Sequence, residues 1–169
     1  MSGIDSAWIV GPTPGFRRLG RSNLPEVERH LLALEPADRR ARFGSTFSDA
    51  AIMAYAQRID PTQAILMGAV DEPSGRILGL AEAQPADVPD LVEVAVSVQA
   101  PHRRSGLGRR LVGAVLAAAF ERGAEAAEFL FAPGNRPIAG LVRALGARID
   151  ATLDRAEVRR PSLTRHQAA

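Results

Sequence analysis

The chain has 169 residues, 46% hydrophobic and 24% charged, which predicts one globular domain with a sizeable core. It has no cysteine and three scattered histidines, His30, His102 and His166, so disulfides, thiolate chemistry and a bound metal are not expected. Its basic residues are all arginine; the pI of about 10.2 overstates a net charge of +2, and with only 5% aromatics no nucleic-acid partner is expected.

Residues 1–15 are rich in Gly and Pro and read as a loose N-terminal segment. They lack the basic start and apolar core of a secretory leader. No apolar run is long enough to span a membrane. A cytoplasmic protein without a membrane partner is the expectation.

Phe16 to Leu19 reads as a first strand. Asn23 and Pro25 then signal a helix start, and Leu24, Val27, Leu31, Leu32 and Leu34 follow at helical spacing. A second helical stretch begins at Pro36. A third opens at Ser48 or Asp49, with Ile52, Met53, Ala56 and Ile59 on one face, and Asp60-Pro61 ends it. Gln63–Val70 and Arg76–Ala83 are apolar runs joined by Asp71-Glu72-Pro73-Ser74-Gly75, which predicts a hairpin.

Leu91 to Val98 alternates apolar residues and predicts another strand. A helix from about Leu107 to Arg122 follows, with Gly123 as its cap. Glu128–Ala132 reads as a short strand. Asn135, Pro137 and Gly146 bracket a further helix, and Ala147–Val158 reads as a final strand or strand pair. The tail from residue 159 is expected to be disordered. The order implies an α/β domain with a mixed sheet, and the strand–helix–strand unit over 91–132 should be parallel.

The turn between that strand and helix carries the chemistry. It reads Arg103-Arg104-Ser105-Gly106-Leu107-Gly108 and is followed by Arg109. A glycine turn that opens a helix presents free backbone N–H groups and the positive end of the helix dipole to an anion. It is not a dinucleotide fingerprint, since the third glycine is missing. Nor is it a nucleoside-triphosphate loop, which needs a lysine. Ser97 and Ser105 have no sequence-adjacent His or Asp, so nucleophilic catalysis is not expected.

This segment resembles the acetyl-coenzyme A motif of the GNAT superfamily of N-acetyltransferases. There a Gln/Arg-x-x-Gly-x-Gly/Ala turn follows the fourth strand and opens the third helix. Asn135 stands where the family often has an asparagine, and Gly146 follows eleven positions later. Glu93-Val94-Ala95-Val96 is similar to the fourth strand of bacterial protein lysine acetyltransferase domains. Arg39-Arg40-Ala41-Arg42-Phe43 is similar to their Arg-rich, aromatic stretch.

The resemblance implies an α/β fold with a twisted, mostly antiparallel sheet of six to seven strands and about four helices, spanning residues 16–158. It implies acetyl transfer from acetyl-CoA to an amine acceptor, either a small molecule or a protein lysine. Glu93 would be the general base and the Val96 N–H an oxyanion donor. The backbone of Val98 would bind the pantetheine arm. Arg103, Arg104, Ser105, Gly106, Leu107, Gly108 and Arg109 would hold the pyrophosphate, with Asn135 nearby. It also implies a bulge in the strand that carries Glu93.

Two departures stand out. Val142 replaces the family's tyrosine acid, and Ala147 replaces a phenylalanine. The first keeps open an alternative, a non-catalytic acetyl-CoA sensor. A homodimer is compatible with the chain, but nothing in the sequence specifies one.

Overall fold

The computed structural model describes residues 14–132, 134–150 and 155–160. In chain order these form β1 (Gly15–Leu19), α1 (Leu24–Leu32), α2 (Pro36–Phe43), α3 (Asp49–Arg58), β2 (Ile65–Asp71), β3 (Arg76–Pro85), β4 (Leu91–Val98), α4 (Leu107–Glu121), β5 (Ala126–Leu130), α5 (Arg136–Ala144), β6 (Arg148–Asp150) and β7 (Arg155–Arg159). The seven strands form one sheet in the order β1-β2-β3-β4-β5-β7-β6. Every pairing is antiparallel except β4 with β5, which the α4 crossover makes parallel. Five α-helices flank the sheet among the described residues, one more than the resemblance implied.

The sheet buries both faces. On one side α4 packs Leu111, Val112 and Val115 against Ala81, Ala83, Val94, Ala127 and Phe129, and Val142 of α5 joins them. Gly79 permits this approach, because a Cβ there would lie 2.8 Å from Leu111 Cδ1. On the other side Val27, Leu31 and Ile52 of α1 and α3 pack on Leu66, Val70, Ile77 and Leu80.

Local signals acted as read at Ser48, whose side chain accepts from the Ala51 N–H at 3.2 Å and starts α3. Asn23 differs. Its side chain accepts from Gly20 N–H at 3.0 Å and closes a 3₁₀ turn before α1, leaving α1 without a side-chain cap. β5 begins two residues earlier than expected, because the Glu125 and Ala126 N–H groups both reach the Asp90 carbonyl and start the strand at the loop. The final stretch is a pair, β6 and β7. The expected loose segment at 1–15 and tail from 159 lie mostly outside the described residues.

The implied bulge in β4 is absent. Its register with β3 runs unbroken from Gly79↔Val98 to Pro85↔Val92. The shift falls between β2 and β3 instead, at Ala69/Val70. With no extra residue to flip the alternation, Glu93, Ala95 and Ser97 share the α1/α3 face.

α2 buries no apolar residue of its own among those described and is held by arginine. Arg39 donates to the carbonyls of Leu32 (2.6 Å), Leu34 (2.9 Å) and Phe47 (3.3 Å), and to Asp49 Oδ1 (2.6 Å). One guanidinium thus satisfies the end of α1 and ties α2 to the start of α3. Arg39→Ala should therefore loosen this corner and spare the core. Hydrogen exchange should show protection lost across residues 33–48 and retained in α4; loss spread evenly over the domain would contradict it.

Candidate acetyl-CoA cleft

β4 and β5 pair over only three positions, Leu91↔Ala126 to Glu93↔Glu128. Beyond them β4 stays with β3, while β5 stays with β7 through Phe129↔Ala156 and Leu130↔Arg155. The two strands part, and a cleft of about 590 Å³ opens between them. Val94 to Val98 and Phe129 to Phe131 line its strand walls. Arg103, Arg104 and Gly106 to Arg109 line one end, Asn135 and Ile138 a flank, and Leu34, Asp38, Ala41 and Arg42 the α1–α2 side.

Strand alternation places two donors on the open edge. Gln99 N–H donates to Leu78 O and Ala86 N–H to Leu91 O, so odd-numbered β4 residues turn their backbone toward β3. Val96 and Val98 therefore turn theirs toward the gap left by β5. The Val98 carbonyl accepts from Arg103 Nε at 3.1 Å.

The loop before α4 holds more. After Arg103, the next backbone N–H to find a backbone acceptor is that of Arg110, on Gly106 O at 3.1 Å. Those of Arg104 to Arg109 have none among the described residues. Gly106 (φ +79°) takes left-handed backbone at no steric cost, whereas Arg104 (φ +60°) takes it against its side chain. Six free N–H groups at a helix N-terminus, with Arg104 and Arg109 on the cleft wall, suit a pyrophosphate in number and charge.

The remaining expected residues separate. The Arg103 side chain is committed to Val98 O and Asp38. Ser105 donates to His102 O at 2.8 Å and is not on the cleft wall. Asn135 lines the cleft and caps α5, accepting from Ile138 N–H at 3.4 Å. Glu93 is exposed just outside the lining, between Gln84 and Glu128 in register.

Two polar groups were not legible in the sequence. In the first, Ser97 has a histidine partner after all. Its hydroxyl donates to His30 Nε2 at 2.8 Å, while His30 Nδ1–H donates to Ile77 O at 2.9 Å. The Nδ1–H tautomer follows from the carbonyl, which can only accept. Burial pushes the imidazole down to about 4, the Ile77 carbonyl opposes that shift, and nearby Arg42 adds to it. An imidazole so reluctant to take a proton is a weak base for Ser97. In the second, the only tyrosine, Tyr55, donates to Glu82 and accepts from Arg42 Nη2 (3.0 Å) and Gln84 Nε2 (3.1 Å). Burial pushes the phenol up, Glu82 adds to this, and Arg42 opposes it. Helical spacing alone could not show that residues 42, 55 and 82 meet.

The sequence model of the acetyltransferase (GNAT) family matches residues 29–147, which include the whole cleft loop. The chain belongs to the GNAT acetyltransferase family. Its fold is similar to the GNAT domain of S. lividans PAT, with TM-score 0.71 and 19% identity over 85% of this chain and 89% of that one. It is also similar to a phosphinothricin acetyltransferase from Sinorhizobium meliloti in complex with AcCoA (TM-score 0.65, 20% identity, 88% of each chain). A third is a putative acetyltransferase from Salmonella typhimurium with acetyl-CoA (TM-score 0.63, 16% identity, 82% and 81%). Among curated protein sequences none matches. As a member of that family it is an acetyltransferase. No group of three or more His, Asp or Glu among the described residues is placed to hold a metal. No helix among them is long and apolar enough to cross a membrane.

The His30 site gives a signed pH dependence. The unfolded imidazole titrates near 6.5 and the folded one near 4. At pH 7 both states are neutral. Between pH 6.5 and 4 only the unfolded state gains the proton, so stability falls as pH drops, by about 3 kcal/mol in all. Urea unfolding from pH 7.5 to 4.5 should show this fall, and His30→Gln should flatten its upper part, between pH 6.5 and 5. An unchanged slope in that range would place the fall elsewhere.

Proposed function

We propose that this enzyme transfers the acetyl group to a primary amine by direct attack, with Glu93 as general base. One observation carries the assignment: of the carboxylates around the cleft, Glu93 alone is untied. Asp38 is held by Arg103, Glu128 by Arg155, and Glu82 by Tyr55, Gln84 and Arg42. Among the described residues Glu93 makes no ion pair or hydrogen bond, and it sits where β4 and β5 part.

An amine with a pKa of about 10.4 arrives protonated, and freeing its lone pair at pH 7 costs about 4–5 kcal/mol. Glu93, at the mouth of the cleft, takes that proton directly or through one water. The amine then attacks the thioester carbonyl. Negative charge grows on the carbonyl oxygen, and the Val96 N–H on the open edge of β4 stabilises it. Val98 N–H holds the pantetheine arm. The N–H groups from Arg104 to Arg109, with the Arg104 and Arg109 side chains, hold the pyrophosphate. Asn135 contributes from the α5 side.

Val142 is fully buried in the core and supplies no acid. A thiol of coenzyme A type has a pKa of about 8.5, so it leaves as thiolate without one. A bacterial, cytoplasmic setting fits the resemblance to protein lysine acetyltransferase domains.

Glu93→Gln should lower kcat by about 10²–10⁴-fold while acetyl-CoA affinity holds. Thiol release across an amine panel, beside calorimetry with acetyl-CoA, checks both. An unchanged rate would remove Glu93 as base. Tight binding with no turnover on any amine would favour the sensor reading instead.

A further inference from the structure

Arg42 is the least explained residue on the cleft wall. It sits on α2 with only 8% of its side chain exposed, yet it lines the cleft. Its Nη2 edge is occupied. Nη2 donates to Tyr55 at 3.0 Å and lies 2.8 Å from Glu82 Oε2. That second contact is an ion pair without hydrogen-bond alignment, so Oε2 stays buried with no donor. Burial alone would pull the guanidinium down, but Glu82 and Tyr55 beside it outweigh burial and keep it charged. Its ring neighbours, Phe43 at 4.8 Å and Tyr55 at 5.6 Å, fix its plane. Nε and Nη1 make no hydrogen bond among the described residues.

The register shows which end of the cleft Arg42 serves. Glu82 is paired with Ala95, one residue before the Val96 oxyanion donor. The pyrophosphate loop begins only beyond Val98. Arg42 therefore stands beside the reacting end. The other arginines on the wall belong to the loop, and Arg103 among them is tied to Asp38. On the α1–α2 side the wall beside Arg42 is Leu34, Asp38 and Ala41, and the Asp38 carboxylate is already tied to Arg103. With the carboxylates on that side already paired, an untied guanidinium edge is a strong, planar receptor for a further carboxylate or similar oxyanion. Glu82 cancels its formal charge, so selectivity comes from paired hydrogen bonds in fixed geometry more than from net attraction.

We propose that Arg42 is a specificity-determining residue that reads an oxyanion on the acceptor, so that the preferred amine also carries a carboxylate, as an amino acid does. Glu82 and Tyr55 are its positioning residues. The inference rests on the amine-transfer reading above.

The test pairs each amino acid with its methyl ester, which keeps the amine and removes the charge. The wild-type enzyme should prefer the acid in kcat/KM by about tenfold or more, the worth of one charged hydrogen-bond pair. This comparison needs no variant. Arg42→Lys should erase the preference by raising KM for the acid, so that the acid's kcat/KM falls about tenfold more than the ester's. Equal use of acid and ester by the wild type would overturn the proposal, as would an equal loss on both in Arg42→Lys with acetyl-CoA binding intact. If no amine is turned over, the transfer reading fails separately. Arg42 is then judged by calorimetry on the acetyl-CoA-loaded protein, where equal affinity for acid and ester overturns it.

Discussion

The parting of β4 from β5 after Glu93 and Glu128 is the constraint on which the site depends. Each strand keeps one partner, β3 or β7, so the split leaves only the edges facing the gap unpaired. In a closed sheet, Val96 and Val98 N–H would be ladder donors. Here they face a cleft, and an edge otherwise costly to bury unpaired is left open to a ligand's acceptors. The same split aims the α4 N-terminus, since the loop from Arg103 to Gly108 begins where β4 runs free.

Two different kinds of force hold the cleft's walls. The strand and α4 walls rest on buried apolar side chains, Val94, Leu111 and Phe129 among them. The α2 wall has none of its own and rests on Arg39, on Arg42 with Glu82, and on the Arg103–Asp38 pair. Arginine suits this because one planar fork meets several carbonyls and carboxylates at once. A wall held by polar contacts can differ between relatives without disturbing the core, which is where acceptor specificity is free to diverge from a common donor site.

This division also explains what the sequence revealed. Loop, helix start and parallel crossover are local, written in Gly106, Gly108 and the alternation of β4, so they were legible. Caps were legible where one residue decides them, as at Ser48, and misread at Asn23, whose side chain turns back to the Gly20 N–H instead of into α1. The Ser97–His30 bond spans 67 residues, and the Tyr55–Glu82 bond 27. No periodicity encodes such meetings; they follow from which helix covers which face of the sheet. The β4 bulge was a borrowed expectation, and the unbroken register with β3 removes it.

The fate of the tyrosine connects fold to chemistry. The chain has a single tyrosine, and it is not where the family often keeps its acid. Val142 fills that place as core, fully buried against α4 and the sheet. Tyr55 cannot substitute, because its proton lies toward Glu82 and burial holds the phenol well above its ordinary range. It acts as scaffold for Arg42. In the proposed reaction the sulfur would leave without an acid, which a thiol pKa of about 8.5 makes tolerable. In the proposed transfer to an amine, the phenol would serve the acceptor side through Arg42, where the harder demand lies: an ammonium must be stripped of its proton and aligned with the thioester. Alignment of that kind is worth more to the rate than protonating a group that leaves readily as an anion.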